Sequence, residues 1–253
     1  MRGRRQSTRQ STRRWSWAMV MTLVLGACKD NGSARDASTN APSVPGRMSV
    51  ATRGQVAIAD PDVAARGNGV PKGYIAWLDQ PSARLSDILY QEDGSGRWEV
   101  RTGTAHILYS LKDTTRKAYT TSATFEQLEK PAHPEAYGVF IGGSALGGPG
   151  APRYTYFLVR GDGKYMVKVR RGATVQTITD WTRHSAIPQE DSVGRAVYGI
   201  KIDVDGKTAK MSVNGKPVTV ISVKNAPLEG VTGVRINHNL HILVTPVSVV
   251  RTR

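Results

Sequence analysis

Past residue 50 the chain alternates between apolar and polar side chains in short runs. A period of two predicts half-buried strands, and no stretch carries the 3.6-residue period of a long helix. Three runs break at Asp162-Gly163, Asp205-Gly206 and Asn214-Gly215. These dipeptides favour the tight turns that join antiparallel strands. Two-residue turns at the last two sites set Ile202 opposite Ala209 and Ala209 opposite Val220. One step along, Ile200 faces Met211, which faces Val218. The apolar positions then share one face across three strands.

The same reasoning at Asp162-Gly163 pairs Tyr156 with Val169 and Leu158 with Val167 as one apolar face. Phe157, Val159 and Met166 fall on the other, beside Lys168 and Arg170. Arg160-Gly161-Asp162 spells an adhesion signal, but turn chemistry accounts for it: glycine for unusual backbone angles, Asp for a left-handed position. Further strands are expected at Trp98–Gly103, Ala105–Ser110, Tyr119–Gln127, Ala136–Gly142, Thr174–Thr179, Arg195–Val204, Val231–Asn237 and Leu240–Val250. Many short strands separated by turn signals predict an all-β protein, an antiparallel β-sandwich or jelly roll.

The N-terminus follows a different pattern. Six arginines and no acid precede an apolar run, Trp15 to Ala27, too short to span a bilayer comfortably. A basic region before a short apolar one reads as an export signal. Leu25-Gly26-Ala27-Cys28 ends it and resembles the bacterial lipobox, whose cysteine is lipidated. Cys28 is the only cysteine of the chain, so an intrachain disulfide is impossible. Residues 29–48 are rich in Ser, Ala, Asn and Pro and read as a tether reaching roughly 25 Å. The expected organisation is a lipoprotein signal peptide (1–27), a lipidated Cys28 with a flexible linker (28–48) and one sandwich domain (49–253). Lys29 is not the Asp associated with inner-membrane retention, which favours the outer membrane.

The formal charge is +15, and removing the six leader arginines leaves +9. Such a surface suits anionic lipid or anionic polysaccharide, while export disfavours nucleic acid; a basic surface without a specific partner is the alternative.

The stretches His133-Pro134-Glu135-Ala136-Tyr137-Gly138-Val139-Phe140-Ile141-Gly142-Gly143, Tyr154 to Arg160 with its hairpin, Val213-Asn214-Gly215 and Gly233 to Leu240 together resemble the concanavalin A-like lectin/glucanase superfamily. The likeness runs from about Arg97 to Arg251 and is closest to laminin-G-like and 3-keto-disaccharide hydrolase-type domains. It implies a curved two-sheet jelly roll, with sugar binding, glycan hydrolysis or protein binding as its activities and the concave sheet as the usual place for ligands. Calcium is common in the superfamily, but no residue-level motif for it carries over, and no cofactor is read from this sequence.

Glucanases of that superfamily place their two carboxylates on a Glu-x-Asp-x-Glu strand. No such stretch exists here. His133 and Glu135 offer an acid–base pair on a loop. By parity through Thr232 to Val244, His238 falls on the apolar face and reads as a partly buried, hydrogen-bonded core residue, and Arg235, Asn237, Asn239 and His241 line the polar one. That polar row, with Lys168 and Arg170 if their strand shares the sheet, is the candidate ligand face; a solvated sheet face is the alternative. Trp77, Trp98 and Trp181 can stack on sugar rings or fill the core. The leading expectation is a lipid-anchored, non-catalytic binder of carbohydrate, an acidic one if Lys168 and Arg170 join the face. A sugar-active enzyme and a structural or protein-interaction module of the envelope are the alternatives.

Overall fold

The computed structural model describes residues 67, 69–148 and 150–252; the leader, Cys28 and the tether lie outside them. One compact unit spans Ala57–Arg253. Its strands build two antiparallel sheets. The first sheet has seven strands in the order β1 (Ile75–Leu78), β4 (His106–Thr115), β13 (Gly230–Ile236), β6 (Ala136–Ser144), β7 (Arg153–Arg160), β8 (Lys164–Arg171) and β9 (Thr174–Arg183). The second runs β12 (Lys216–Ser222), β11 (Thr208–Val213), β10 (Ala196–Asp205), β5 (Ala118–Gln127), β14 (Leu240–Val244), β3 (Trp98–Thr102) and β2 (Ile88–Glu92), with β15 (Ser248–Arg251) also against β5. The expected sandwich is the observed one. Among the described residues no helix is long and apolar enough to cross a membrane.

The main core lies between the sheets. Val139, Phe157, Val167 and Val234 from the first sheet meet Phe125, Tyr198, Ile202 and Ile242 from the second. Both sheets and this core fall within Ala57–Arg253, so that unit holds what its fold needs. A second apolar cluster, including Tyr109, Phe140, Tyr154 and Met166, lies apart from it. It occupies the outward positions of the first sheet.

The alternation of β10 (Tyr198, Ile200, Ile202 and Val204 buried, Val197 and Lys201 exposed) turns its apolar side inward as expected. The pairing is two residues off: Ile202 lies opposite Met211 and Val204 opposite Ala209. The turn there is centred on Gly206-Lys207, with Asp205 accepting from the Lys207 and Thr208 amides. A two-residue shift preserves the face. On β12 a bulge opposite Met211 and Ser212 sets Ala209 opposite Ile221 and Met211 opposite Thr219, one residue from the expected Val220 and Val218. Ile221 is therefore the buried residue and Val220 is 58% exposed, so the apolar face expected to run across three strands is exchanged on this one.

The Arg160 hairpin departs by one residue, and one residue exchanges the faces. Its loop holds three residues, 161–163, closed by the Gly163 amide donating to the Arg160 carbonyl at 3.1 Å. Arg160 therefore pairs with Lys164, Phe157 with Val167 and Tyr156 with Lys168. Phe157, Val159, Val167 and Val169 point into the main core, and Tyr154, Tyr156, Leu158, Met166, Lys168 and Arg170 point away from it. In the tripeptide, Asp162 accepts two 2.8 Å hydrogen bonds from Arg160. Burial opposes the charge of Asp162, but these bonds and Lys164 hold its pKa below the ordinary value.

His106 on β4 is fully buried, with Tyr90 Oη 2.7 Å from Nε2 and the Thr104 carbonyl 3.1 Å from Nδ1. The carbonyl requires Nδ1–H, and in the neutral ring that burial enforces Nε2 is then the acceptor of the phenol's proton. Burial pushes its pKa down to about 4, with Arg235 also lowering it. In the unfolded chain the ring takes a proton near its ordinary value of about 6.5. Stability is therefore intact above that value and falls as pH drops towards 4, by about 3 kcal/mol from this group. Denaturant unfolding at falling pH is expected to show that loss. His106→Gln should start less stable and show a shallower dependence; parallel profiles would contradict the assignment.

Candidate functional site

The outward side chains of the seven-stranded sheet form an array of rings and cations. Alternation places Tyr154, Tyr156, Leu158 and Arg160 of β7 there, with Met166, Lys168 and Arg170 of β8, Arg235 of β13 and Trp77 of β1. Two glycines keep the middle flat. A Cβ at Gly233 would lie 2.6 Å from the Phe140 ring and 2.3 Å from the Leu108 carbonyl oxygen. One at Gly138, which sits between Arg235 and Leu158, would lie 2.0 Å from the Phe157 carbonyl oxygen.

Three guanidinium groups each lie against a ring. Arg160 stands 4.2 Å from the Trp181 centroid, Arg170 4.7 Å from Trp77 and Arg235 5.7 Å from Tyr156. Asp79, just beyond β1, organises two of them. It accepts both terminal nitrogens of Arg235, one at 2.6 Å, and lies 3.9 Å from Arg170. Arg235 is 7% exposed. Burial lowers its pKa, but the hydrogen bonds and charge of Asp79 prevail and hold it above its ordinary value. Its Nε is buried and has no hydrogen-bond partner among the described residues. Burial raises the pKa of Tyr154 to about 12 and also raises that of Tyr156, so both hydroxyls stay protonated. Tyr154 and Tyr156 are buried, at 1% and 8% exposed, so the rings open to a ligand are the half-buried Trp77 and Trp181. Such rings can stack on the apolar face of a sugar while the planar cations beside them donate to its hydroxyls or carboxylates.

The structure unites only part of the expected ligand face. Lys168, Arg170 and Arg235 share this sheet and its outward side. Asn237, Asn239 and His241 do not continue the row, because the strand ends at Ile236. Asn239 takes a left-handed backbone (φ 52°), and the chain crosses to the other sheet at Leu240. His241 consequently lies on the second sheet, 2.8 Å from Glu99, with Glu129 at 3.4 Å from Nδ1 but not aligned for a hydrogen bond. Asn237 and His238 instead hold Glu135, at 3.2 Å and 2.9 Å. His238 is half-buried in this group, not a core residue. Glu135 also lines an open recess of about 160 Å³ with Lys130, Pro134, Asp162 and Glu190.

Of the three tryptophans weighed as sugar platforms, Trp98 is core, edge-on to Tyr74 and Tyr90. Trp77 and Trp181 stand on the outward face. Asp79, Tyr154, Tyr156 and Arg160 are members that sequence reasoning did not select. For the two tyrosines and Arg160 the signal was present, in the register of a three-residue loop. Asp79 is 156 residues from Arg235, and no local pattern joins them. Among the described residues no three His, Cys, Asp or Glu side chains are placed to hold a metal ion.

No protein-family model matches the chain, and no curated protein sequence matches it. Solved structures do. A carbohydrate-binding module of Bacillus subtilis superposes with a TM-score of 0.52 at 10% identity, over 73% of this chain and 98% of the module. A family 16 glycoside hydrolase of Bacteroides ovatus, an endo-glucanase, gives 0.51 at 9% identity, over 72% and 97%. A Bacillus subtilis protein of unknown function with a galectin-like fold gives 0.51 at 12% identity, over 72% and 91%. With its two antiparallel sheets and this match to three jelly rolls, the chain has the concanavalin A-like fold.

Proposed function

We propose that this is an exported, lipid-anchored envelope protein whose jelly-roll domain binds a carbohydrate without transforming it. The carrying observation is the outward face of the seven-stranded sheet, where the half-buried Trp77 and Trp181 each pair with a partly exposed guanidinium. Such a face suits a ligand that is apolar on one side and rich in oxygen on the other. Three arginines and Lys168 against the two carboxylates of Asp79 and Asp162 leave an excess of positive charge that favours an acidic glycan. A carbohydrate-binding module of the same fold supports the choice of ligand class. A glycan array on the purified protein, run beside a glycan-cleavage assay, tests this; uptake of acidic oligosaccharides without cleavage is expected.

The enzyme reading has its own observation. Glu135 is held by His238 and Asn237 at the rim of a recess, an arrangement able to move a proton. Cleavage abolished by Glu135→Gln would establish it and displace the non-catalytic reading.

The anchor rests on the leader and Cys28. Cys28→Ser is expected to move the protein from the membrane to the soluble fraction. A variant that still pellets, with wild type taking up no labelled fatty acid, would contradict lipidation.

A further inference from the structure

One end of the sandwich gathers exposed cations and exposed aliphatic side chains, well apart in sequence. The β4–β5 turn carries Arg116 and Lys117, and the β10–β11 turn carries Lys207 beside it: Ala118 pairs with Asp205, and the Val223 amide donates to the Lys207 carbonyl at 2.8 Å. Lys224 follows. From β15, Arg251 donates to the carbonyls of Lys112 (2.8 Å) and Thr114 (3.1 Å) on β4. All six of these basic residues, Lys112, Arg116, Lys117, Lys207, Lys224 and Arg251, are exposed.

Three carboxylates lie among them, and two are engaged by the backbone. Asp205 caps its own turn, and Glu229 accepts from the Lys117 amide at 2.9 Å. Asp113 is the third, beside Lys112 and Arg251. The patch is therefore basic in sum. Its distinguishing feature is the apolar component. Leu111, Val223 and Val250 are 65%, 47% and 62% exposed, and each directly precedes one of the six cations. Uncovered aliphatic side chains cost free energy in water. Interleaved with cations, they match the boundary between anionic headgroups and acyl chains.

We propose that this end of the domain docks on an anionic lipid bilayer, with the basic side chains at the headgroups and Leu111, Val223 and Val250 entering the interface. A soluble polyanion would satisfy the charges but not the aliphatic side chains. The proposal does not rest on the lipid anchor or on the glycan-binding face, because the patch involves neither Cys28 nor the rings of the seven-stranded sheet.

The test is co-sedimentation of the Ala57–Arg253 unit with vesicles of phosphatidylcholine, alone or mixed with phosphatidylglycerol. Binding to the mixed vesicles only, weakening with salt, is expected. Each basic residue near an anionic leaflet is worth roughly a fivefold change in partition, so Lys112→Glu, Arg116→Glu, Lys207→Glu and Lys224→Glu together should lower it about a hundredfold or more. If that variant does not fold, the four glutamine substitutions read the same property. Leu111→Ser with Val250→Ser should lower partition severalfold while leaving binding to dextran sulfate unchanged. Equal binding to both kinds of vesicle would overturn the proposal. So would partition that survives the charge changes, or aliphatic substitutions without effect on vesicles while dextran sulfate still binds.

Discussion

Asp79→Ala is expected to remove about 3–5 kcal/mol of folding stability, the usual result of leaving a buried charge without its partner. Arg235 is 7% exposed and its cationic form is held by Asp79, which sits just beyond β1 at the edge of the same sheet. Without the carboxylate, the guanidinium keeps its charge and loses both hydrogen bonds. Asp79 has a side chain 23% exposed, so water can partly replace it and the low end of the range is favoured. Replacing both partners by apolar residues, Asp79→Leu with Arg235→Met, should recover most of the loss, because no charge is then stranded. Denaturant unfolding measures both. A loss below about 1 kcal/mol in the single variant would mean that the pair is open to solvent.

The second large effect concerns binding. Trp181→Ala with Arg170→Ala should lower affinity for an acidic oligosaccharide by about tenfold to a hundredfold, equivalent to roughly 1.4–3 kcal/mol. Trp181 is half-buried beneath Arg160, and Arg170 stands over Trp77, so both are within reach of a ligand on that face. Arg170→Lys should not restore affinity, since the ammonium cannot lie flat on the ring or offer a fork of donors. Calorimetric titration separates this from unfolding when paired with a melting curve. Unchanged affinity with the fold intact would remove these residues from the site.

The fold was legible because turn residues and alternation agree along much of the chain. β10 is the clear case: its inward residues are apolar and its outward ones, Val197 apart, are polar or glycine, so even a two-residue error in pairing left each side chain on its correct face. β7 is the opposite case. Phe157 and Val159 enter one cluster, Tyr154, Tyr156 and Leu158 the other, and so both faces are apolar. Alternation then carries no direction, and only the loop length decides; three residues there instead of two exchanged the faces.

The site was less legible for the same physical reason. The polar row through Asn237, Asn239 and His241 assumed an unbroken strand, whereas Asn237-His238-Asn239 is itself a turn signal, with Asn239 left-handed. What joins Arg170, Arg235 and Asp79 is sheet order, β8 and β13 with β7 and β6 between them, and order is not written in any one strand.

The central claim is that glycan meets the outward face of the seven-stranded sheet. Hydroxyl-radical footprinting of the protein with and without an acidic oligosaccharide chosen on the array tests it directly. Protection is expected at Trp77 and Trp181, with Trp98 unreactive in both states because it is buried in the core. Protection confined to His241 on the second sheet, or to the rim at Pro134 and Glu135, with Trp77 and Trp181 unchanged, would contradict it.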